Sequence, residues 1–401
     1  MTARFTHPAY ALLAAQVVTA GVAFAINFLS SSVMPPDQRG TLAFFIQLSY
    51  IATVLGLVGV ERPYVAERTG ASFPTAVREL GRLTRSVWVG AALLLVAAAV
   101  AGWVSGWFTA LLLAMTATYV VSNAAVRRVR IAYVVSRDRR TFVTNTIAVQ
   151  CGLLGLGVVL YLLDVDSPAA WLGAYALSSA AAMVTSARAR RRSREEDVAT
   201  DRLPRVRREG LRLIPASLGN TALLRSDRLL MPFLSSAAEL GIYVTVATVM
   251  EVGAWPIQQW VDASLGRLRE RAAAGNNRRL VVTVLLGAAG LTAVIGVLAY
   301  VAISQLLPEE YHPSLQLIPI LGAGTVVYSM TRLQHGLLIA EGRPGLVSVA
   351  ETVGLVASAV LYVGLIPPFG AMGAAIGSGI GHVILLGTTW WLRRRAQRRE
   401  A

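Results

Sequence analysis

The sequence contains no lysine and a single cysteine, and it has few charged residues of any kind. Charged residues make up 15% of the 401 residues, against about 25% in soluble domains. So little polar surface cannot cover the two or three soluble domains that this length would form. One cysteine excludes an intramolecular disulfide. Soluble enzymes, disordered proteins and disulfide-stapled secreted domains are therefore excluded. All 37 basic residues are arginine, a bias typical of GC-rich bacterial genomes.

Hydrophobic residues account for 55% of the chain, and they form long blocks of the length that crosses a bilayer. Their distribution predicts an all-α membrane protein with twelve transmembrane helices. The predicted spans are 9–33, 40–60, 86–103, 107–126, 143–163, 169–187, 211–234, 237–259, 280–304, 315–339, 345–366 and 371–391. The first block is too long for a signal peptide and is expected to remain as a helix.

The arginines are distributed asymmetrically between the connections. The amino-terminus, the even-numbered connections and the carboxyl-terminal tail hold 33 of the 37 arginines, and the opposite side holds Arg39. Arg225, Arg228 and Arg332 fall inside spans. Because positive charge stays on the cytoplasmic side, both termini are predicted to be cytoplasmic in a bacterial inner membrane. The net charge of +15 therefore requires no nucleic acid.

The organisation predicts two six-helix lobes. Residues 1–187 form the N lobe, 188–210 an arginine-rich cytoplasmic linker without an apolar face, 211–392 the C lobe and 393–401 a basic tail. Because each lobe has an even number of spans, the lobes would be parallel repeats related by a pseudo-twofold axis normal to the membrane. The segment 73–87 carries apolar and basic residues on separate faces, which predicts an interfacial helix lying on the cytoplasmic leaflet.

Several motifs occur in order along the chain. They are Met34-Pro-Pro-Asp-Gln-Arg-Gly40, Arg225-Ser-Asp-Arg-Leu-Leu, Ser236-Ala-Ala-Glu-Leu-Gly-Ile-Tyr243, Glu309-Glu-Tyr-His, Leu338-Ile-Ala-Glu-Gly-Arg-Pro344 and Phe369-Gly-Ala-Met-Gly-Ala-Ala375. Together they resemble the polysaccharide-export (O-antigen flippase, Wzx-like) branch of the multidrug/oligosaccharidyl-lipid/polysaccharide (MOP) exporter superfamily. The resemblance implies a MATE/MOP-like fold, alternating access and outward movement of a polyprenyl-diphosphate-linked saccharide. Two further carboxyl-terminal helices, found in the lipid II flippase branch, are not expected.

The seventh predicted span contains Arg225, Asp227 and Arg228. The two arginines are three residues apart and share a helix face, and two guanidinium forks suit a diphosphate. Asp227 lies to the side, where it can neutralise one of them. An ion pair that only fixes the helix explains the trio equally well.

Arg332 lies deeper, about 12 Å from the cytoplasmic end of the tenth span, and is the strongest candidate for a phosphate ligand. The alternative is a static pair with Glu351. Glu351 and Glu251 are candidates for ion coupling or for permanent charge pairing. His335 is expected to be a hydrogen-bonded core residue rather than a proton carrier. The first lobe has no comparable charge, so the phosphate site is predicted in the C lobe.

The sequence thus favours a flippase for lipid-linked oligosaccharides in cell-surface polysaccharide assembly, with membrane lipids and other assembly proteins as partners. No bound cofactor or metal is expected, and a proton gradient, a sodium gradient or the membrane potential would drive transport. The first alternative is a multidrug or cation antiporter of the same superfamily. The others are a non-transporting scaffold and a polytopic polysaccharide polymerase, although the outer connections are too short to build a catalytic site and no catalytic motif is present.

Overall fold

The computed structural model describes residues 7–104, 107–192, 203–264, 268 and 278–398, and these residues are helical throughout, apart from short turns, with no β-strand among them. The helices are α1 (His7–Val33), α2 (Pro36–Gly56), α3 (Glu61–Arg68), α4 (Phe73–Leu83), α5 (Ser86–Val104), α6 (Trp107–Val135), α7 (Arg139–Leu162), α8 (Pro168–Arg192), α9 (Leu203–Leu234), α10 (Ala237–Val252), α11 (Trp255–Ala263), α12 (Arg278–Leu306), α13 (Leu317–Ala340) and α14 (Pro344–Arg398). A 3₁₀ helix, Glu309–Gln316, precedes α13.

Several helices have the length and apolar composition needed to cross a membrane. Six spans in the described residues qualify: Thr109–Val135, Arg140–Leu162, Ala237–Val261, Arg278–Leu306, Glu309–Ala340 and Pro344–Arg398. The pair α4 and α5, bent by 51°, makes a seventh when it is counted as one span. Large side chains on α12 are also exposed, including Leu286 at 66% and Val297 at 64%. Such a surface is compatible with lipid, and together with the six apolar spans it indicates a multi-pass membrane protein.

The long helix α14 is interrupted by a backbone break. Its 55 residues would extend about 80 Å, far beyond the roughly 30 Å of a hydrocarbon core. The break occurs at Gly370, where φ is 53° and ψ is −129°, just after Pro367 and Pro368. The backbone amide of Ala371 donates to Glu239 Oε2 over 2.6 Å, so a carboxylate caps the helix that restarts there.

The segment 188–210, predicted as a linker, is helical in its described parts. Helix α8 continues to Arg192 and α9 begins at Leu203, while 193–202 lie outside the described residues. Leu203 and Val206 are buried against Val58 and Val60 in one hydrophobic cluster. The two apolar residues are three apart and form a narrow helical stripe, which the surrounding arginines concealed in the sequence. Other boundaries also differ: α2 ends at Gly56 rather than at 60, and α6 extends nine residues beyond its predicted end, to Val135.

Helix α4 is amphipathic as expected, but its apolar face packs on protein and not on lipid. Val77 and Leu80 are fully buried in the same cluster as Ile131 of α6 and Ala189 of α8. Phe73 stacks on Tyr133 with 4.4 Å between the ring centroids. The prediction of a helix lying on the leaflet is therefore wrong for this face, because neighbouring helices cover it.

A buried polar cluster joins α3 to α4. Glu79 is fully buried and accepts hydrogen bonds from Arg68 Nε at 2.9 Å and from Tyr64 Oη at 2.8 Å. A second guanidinium nitrogen of Arg68 donates to the other carboxylate oxygen over 2.7 Å. Burial and the hydrogen bond to Glu79 raise the pKa of Tyr64, so the phenol stays a neutral donor. The charge of Glu79 is thus fully satisfied.

Contacts divide the chain into two compact units. The first comprises Met1–Val33 and Phe44–Leu218, and the second Met34–Ala43 and Gly219–Ala401. Within the second unit, α2 and α10 approach so closely that a Cβ on Gly241 would lie 1.9 Å from the carbonyl oxygen of Pro36. Glycine is required at this crossing because no side chain fits.

Candidate functional site

A polar cavity lies inside the second unit. Its volume is about 720 Å³ including the open mouth, and α9, α10, α11, α13 and the part of α14 after Gly370 form its wall. The polar and ionisable lining residues are Arg225, Asp227, Tyr243, Glu251, Gln258, Thr325, Tyr328, Ser378 and His382. Ionisable groups this deep in a membrane protein are costly unless they are paired or face a cavity. Arg225 and Glu251 do both.

Glu251 pairs with Arg225 and Arg228 of α9. Its Oε1 lies 2.5 Å from Nη2 of Arg228, and its Oε2 lies 3.3 Å from Nη1 of Arg225. The three-residue spacing places both arginines on one face, as the sequence predicted, and the structure turns this face toward Glu251 of α10. Arg228 is 1% exposed, whereas Arg225 is 25% and Glu251 30% exposed. Arg228 is therefore a buried structural cation, and Arg225 is the guanidinium that a solute in the cavity can reach.

Asp227 is held by a different set of contacts. Its Oδ2 accepts a hydrogen bond from Tyr243 over 2.6 Å, and its Oδ1 accepts from the backbone amide of Arg228 over 2.8 Å. The ion-pair partner of both arginines is thus Glu251 on another helix, while Asp227 acts on Arg228 through space. Two cations and two carboxylates make the group electrically balanced.

Arg332, His335 and Glu351 form a neighbouring group toward the other end of α13. Tyr328, Arg332 and His335 lie on one face of that helix, and the charge of Arg332 acts on both neighbours. His335 lies 3.7 Å from Oε1 of Glu351 and shares a 3.2 Å hydrogen bond with Thr389. Tyr328 lines the polar cavity, but Arg332 does not. The structure therefore places four of the six predicted site residues in the first group and the other two, Arg332 and Glu351, in the second.

Sequence reasoning missed three residues of the cavity wall: Tyr243, Tyr328 and His382. His382 lies in a glycine-rich helix, and its ring centroid is 5.1 Å from that of Tyr328. A histidine in the middle of an apolar span is itself a signal of function. The tyrosines gave no such signal, because aromatic residues are common throughout these helices. Among the described residues, no group of three or more His, Cys, Asp or Glu side chains is placed to hold a metal ion.

No protein-family model and no curated protein sequence matches the chain, but solved structures match it over nearly its whole length. Lipid II flippase MurJ, in an inward closed conformation, has a TM-score of 0.68 at 9% identity and covers 96% of this chain and 87% of its own. An inward-facing multidrug resistance MATE family transporter of the MOP superfamily has a TM-score of 0.61 at 14% identity. The alignment covers 96% of this chain and 95% of the transporter. The chain has the fold of these transporters. The eukaryotic MATE transporter AtDTX14 has a TM-score of 0.54 at 12% identity. The alignment covers 96% of this chain and 98% of AtDTX14.

This likeness confirms the superfamily fold that the motifs predicted. At 9–14% identity it concerns the fold alone, since different functions are built on one fold. Membership of the polysaccharide-export branch stays a prediction.

Proposed function

We propose that the protein is a flippase that moves a polyprenyl-diphosphate-linked oligosaccharide from the inner to the outer leaflet by alternating access, for cell-surface polysaccharide assembly. The observation that carries the proposal is Arg225, a partly exposed guanidinium in the wall of a cavity within a MOP-superfamily fold. Its planar fork matches the oxygens of a diphosphate. The MurJ neighbour is named as a flippase of lipid II, which supports a lipid-linked substrate.

The proposal includes twelve spans in two lobes. The spans would be α1, α2, α5, α6, α7, α8, α9, α10 with α11, α12, α13 and the two parts of α14. The break at Gly370 supports the division of α14 into two spans. Both termini would lie in the cytoplasm of a bacterial inner membrane, in accordance with the arginine distribution.

Each charged residue has a proposed role. Arg225 would bind the diphosphate directly, with Arg228 adding positive potential from behind and Arg332 contributing from the α13 side. Glu251 would hold Arg225 in place when the cavity contains no substrate. Its carboxylate would then accept the guanidinium hydrogen bonds that a bound phosphate would otherwise accept. Asp227 and Glu351 would keep the neighbouring cations and His335 oriented. With the cytoplasm negative, outward movement of the anionic head group gains about 2.3 kcal/mol per charge per 100 mV.

The first test is mass spectrometry of polyprenyl-linked lipids, with leaflet assignment, in cells that lack the gene. We expect one diphosphate-linked oligosaccharide to accumulate in the cytoplasmic leaflet. Accumulation in the outer leaflet would indicate polymerase chemistry, and an unchanged lipid profile would contradict the flippase proposal.

Complementation then tests the site. Arg225→Gln should lower flipping roughly ten- to hundredfold, because a charge-assisted hydrogen bond contributes about 1.5–3 kcal/mol. Arg278→Gln is the matched control, since Arg278 is exposed at the start of α12. If Arg225→Gln complements as well as the control at equal membrane abundance, Arg225 is not a phosphate ligand.

A second candidate is a multidrug or cation antiporter. Asp227 and Glu251 both line the cavity, and carboxylates favour cationic substrates; two of the neighbours are named as MATE transporters. Under this alternative Glu251→Gln abolishes resistance to cationic drugs, while the polyprenyl lipids of the deletion strain stay unchanged.

A further inference from the structure

A buried histidine of α13 has one ring nitrogen in a hydrogen bond and the other beside a carboxylate. His335 is 3% exposed. Its Nε2 lies 3.2 Å from the hydroxyl oxygen of Thr389, and its Nδ1 lies 3.7 Å from Oε1 of Glu351. Among the described residues, no group makes a hydrogen bond with Nδ1. Buried polar atoms nearly always have such a partner, so this nitrogen requires an explanation.

Thr389 determines which ring nitrogen carries the hydrogen. Its hydroxyl group donates to the backbone carbonyl oxygen of Leu385 over 2.7 Å, so its oxygen can only accept from the imidazole. In the neutral ring of His335, Nε2 therefore carries the hydrogen and Nδ1 has a lone pair. That lone pair faces an oxygen of Glu351, which is also an acceptor when the carboxylate is ionised. One proton between the two acceptors would satisfy both of them.

Distance and access both suit a proton at this position. The separation of 3.7 Å between Nδ1 and Oε1 exceeds the length of a hydrogen bond by about 0.5–1 Å. A shift of about 1 Å in the flexible side chain of Glu351 closes that difference. Because this side chain is 17% exposed, a proton can reach the carboxylate without disturbing the packing of His335.

The charged groups around His335 lie on α13 and α14. Arg332 is one turn away on the same helix, and its charge acts on the imidazole. Glu351 faces the ring from the first part of α14. On the second part of α14, Arg393 lies one turn beyond Thr389 and pairs with Glu341 over 2.6 Å. In the described part of the chain, α11 and α12 contribute apolar side chains to this region. The local charge is therefore set mainly by Arg332 and Glu351.

This charge reaches the polar cavity through α13. Tyr328 lines the cavity, and the charges of Arg332 and Glu351 both act on it. Tyr328 and His335 are seven residues apart, which is about 10 Å along the helix. Unit charges still interact at that separation, because the effective dielectric constant inside a protein is well below that of water. A change in the charge of Glu351 therefore changes the potential in the cavity.

We propose that His335 and Glu351 form a proton-binding site, with the proton held between Nδ1 and Oε1, and that its occupation strengthens the binding of an anion in the polar cavity. The proton neutralises one carboxylate, so the positive charges of Arg225 and Arg332 attract an anion more strongly. The identity of the anion, a diphosphate, rests on the proposed function, whereas the proton site does not. Binding of the head group is then accompanied by proton uptake.

Histidine ¹⁵N NMR on the purified full-length protein tests the site directly. The chain has four histidines, and His335→Asn identifies the resonances of His335. Between about pH 8 and about pH 5, the wild-type Nδ1 resonance should move from that of a bare lone pair toward that of a hydrogen-bonded nitrogen, while Nε2 stays protonated. Glu351→Gln should show no such movement, because its amide N–H can donate to Nδ1 at every pH.

Three NMR results would overturn the proton site. The first is a wild-type Nδ1 resonance that does not change over this pH range. The second is a neutral ring of His335 that carries its hydrogen on Nδ1. The third is a shift produced by sodium ions at constant pH and not by pH, because the site would then hold a metal cation. All three are measured on the wild-type protein, so they do not depend on the folding of Glu351→Gln.

Pyrophosphate binding tests the link to the cavity. At about pH 8, Glu351→Gln should bind pyrophosphate about tenfold more tightly than the wild-type protein, because one negative charge about 10 Å away is removed. At about pH 5 the two affinities should agree, since the wild-type carboxylate is then protonated. Comparison at the same pH cancels the titration of pyrophosphate itself. Glu309→Gln, on an exposed connection, is the matched control and should follow the wild-type protein at both pH values.

The two measurements separate this inference from the proposed function. If no form of the protein binds pyrophosphate at either pH, the diphosphate site and its link to the proton fail, while NMR still decides the proton site. If pyrophosphate binds but the ratio between Glu351→Gln and the wild-type protein is the same at both pH values, the link is refuted and the diphosphate site stands.

Discussion

Glu251→Gln removes the carboxylate that pairs with both Arg225 and Arg228. In the folded protein this carboxylate lies 2.5 Å from Arg228 and 3.3 Å from Arg225. Glutamine has nearly the same shape, so the substitution removes charge without opening a cavity. Both guanidiniums stay ionised, since arginine does not lose its proton in proteins.

The two arginines should contribute very differently to the loss of folding free energy. Arg228 is 1% exposed, and breaking a buried pair by removing one partner costs about 3–5 kcal/mol. Because Glu251 is itself 30% exposed, we expect the lower end, about 3 kcal/mol. Arg225 is 25% exposed, and its share should be below about 1 kcal/mol. The stability effect therefore reports mainly on the buried cation.

A double-mutant cycle with Arg228→Met isolates this pair. Arg228→Met alone should cost about 1 kcal/mol, because Glu251 keeps Arg225 as its partner. The double variant should be little worse, since the guanidinium that Glu251 compensates is gone and Asp227 keeps its hydrogen bonds from Tyr243 and from the backbone amide of residue 228, which gives a coupling energy of about 3 kcal/mol. The free energy of unfolding is measured by denaturing-detergent titration in mixed micelles. Glu309→Gln, on an exposed connection, is the control and should leave stability unchanged.

Two results would refute the reasoning. If the two single substitutions lower the free energy of unfolding by amounts that add up to the effect of the double variant, Glu251 does not compensate the charge of Arg228. A Glu251→Gln variant as stable as Glu309→Gln would mean that water reaches Arg228 and that the group is not buried. If instead the coupling energy is large, the same variant offers a free Arg225 to the cavity. Pyrophosphate should then bind the Glu251→Gln variant more tightly than the wild-type protein, provided the variant is folded at the temperature used.

Three further substitutions test other parts of the structure. Glu79→Gln should lower the free energy of unfolding by about 2 kcal/mol, because it weakens charge-assisted hydrogen bonds; an unchanged detergent titration would show that the α3–α4 cluster is not stabilising. Gly241→Ala should cost about 1–3 kcal/mol through overpacking, since its Cβ would lie 1.9 Å from a carbonyl oxygen of α2. Gly287→Ala, which meets no neighbour, is the control, and equal melting temperatures would refute the close crossing. Arg332→Ala should insert normally yet lower cellular flipping; full activity would exclude Arg332 as a phosphate ligand.

The positions of the helices were predictable where a segment was uniformly apolar. The apolar blocks predicted helices at nearly all the correct places, because hydrophobic length and composition are properties of a single segment. The start of α9 was not predicted, because it depends on contacts between distant segments and not on the composition of one segment. Its Leu203 and Val206 form a stripe too narrow to recognise among arginines, and their partners Val58 and Val60 are more than 140 residues away.

The site was predictable only as a set of residue types. The arginines and carboxylates stood out because charge is rare inside apolar helices. Their pairing did not follow, since Asp227 is adjacent in sequence to Arg228 but bonds Tyr243 instead. Spacing on α9 gave the shared face of the two arginines and nothing about which neighbouring helix faces it.

The sequence by itself determined that this is an all-helical, multi-pass membrane protein whose few charges within the spans need partners, because those properties depend on composition and local periodicity. Tertiary structure alone decided that Glu251 binds both arginines, that Arg225 faces a cavity while Arg228 is buried, and that Nδ1 of His335 faces Glu351. These facts depend on which helix faces meet, and helix packing is set by many small contacts between segments distant in sequence.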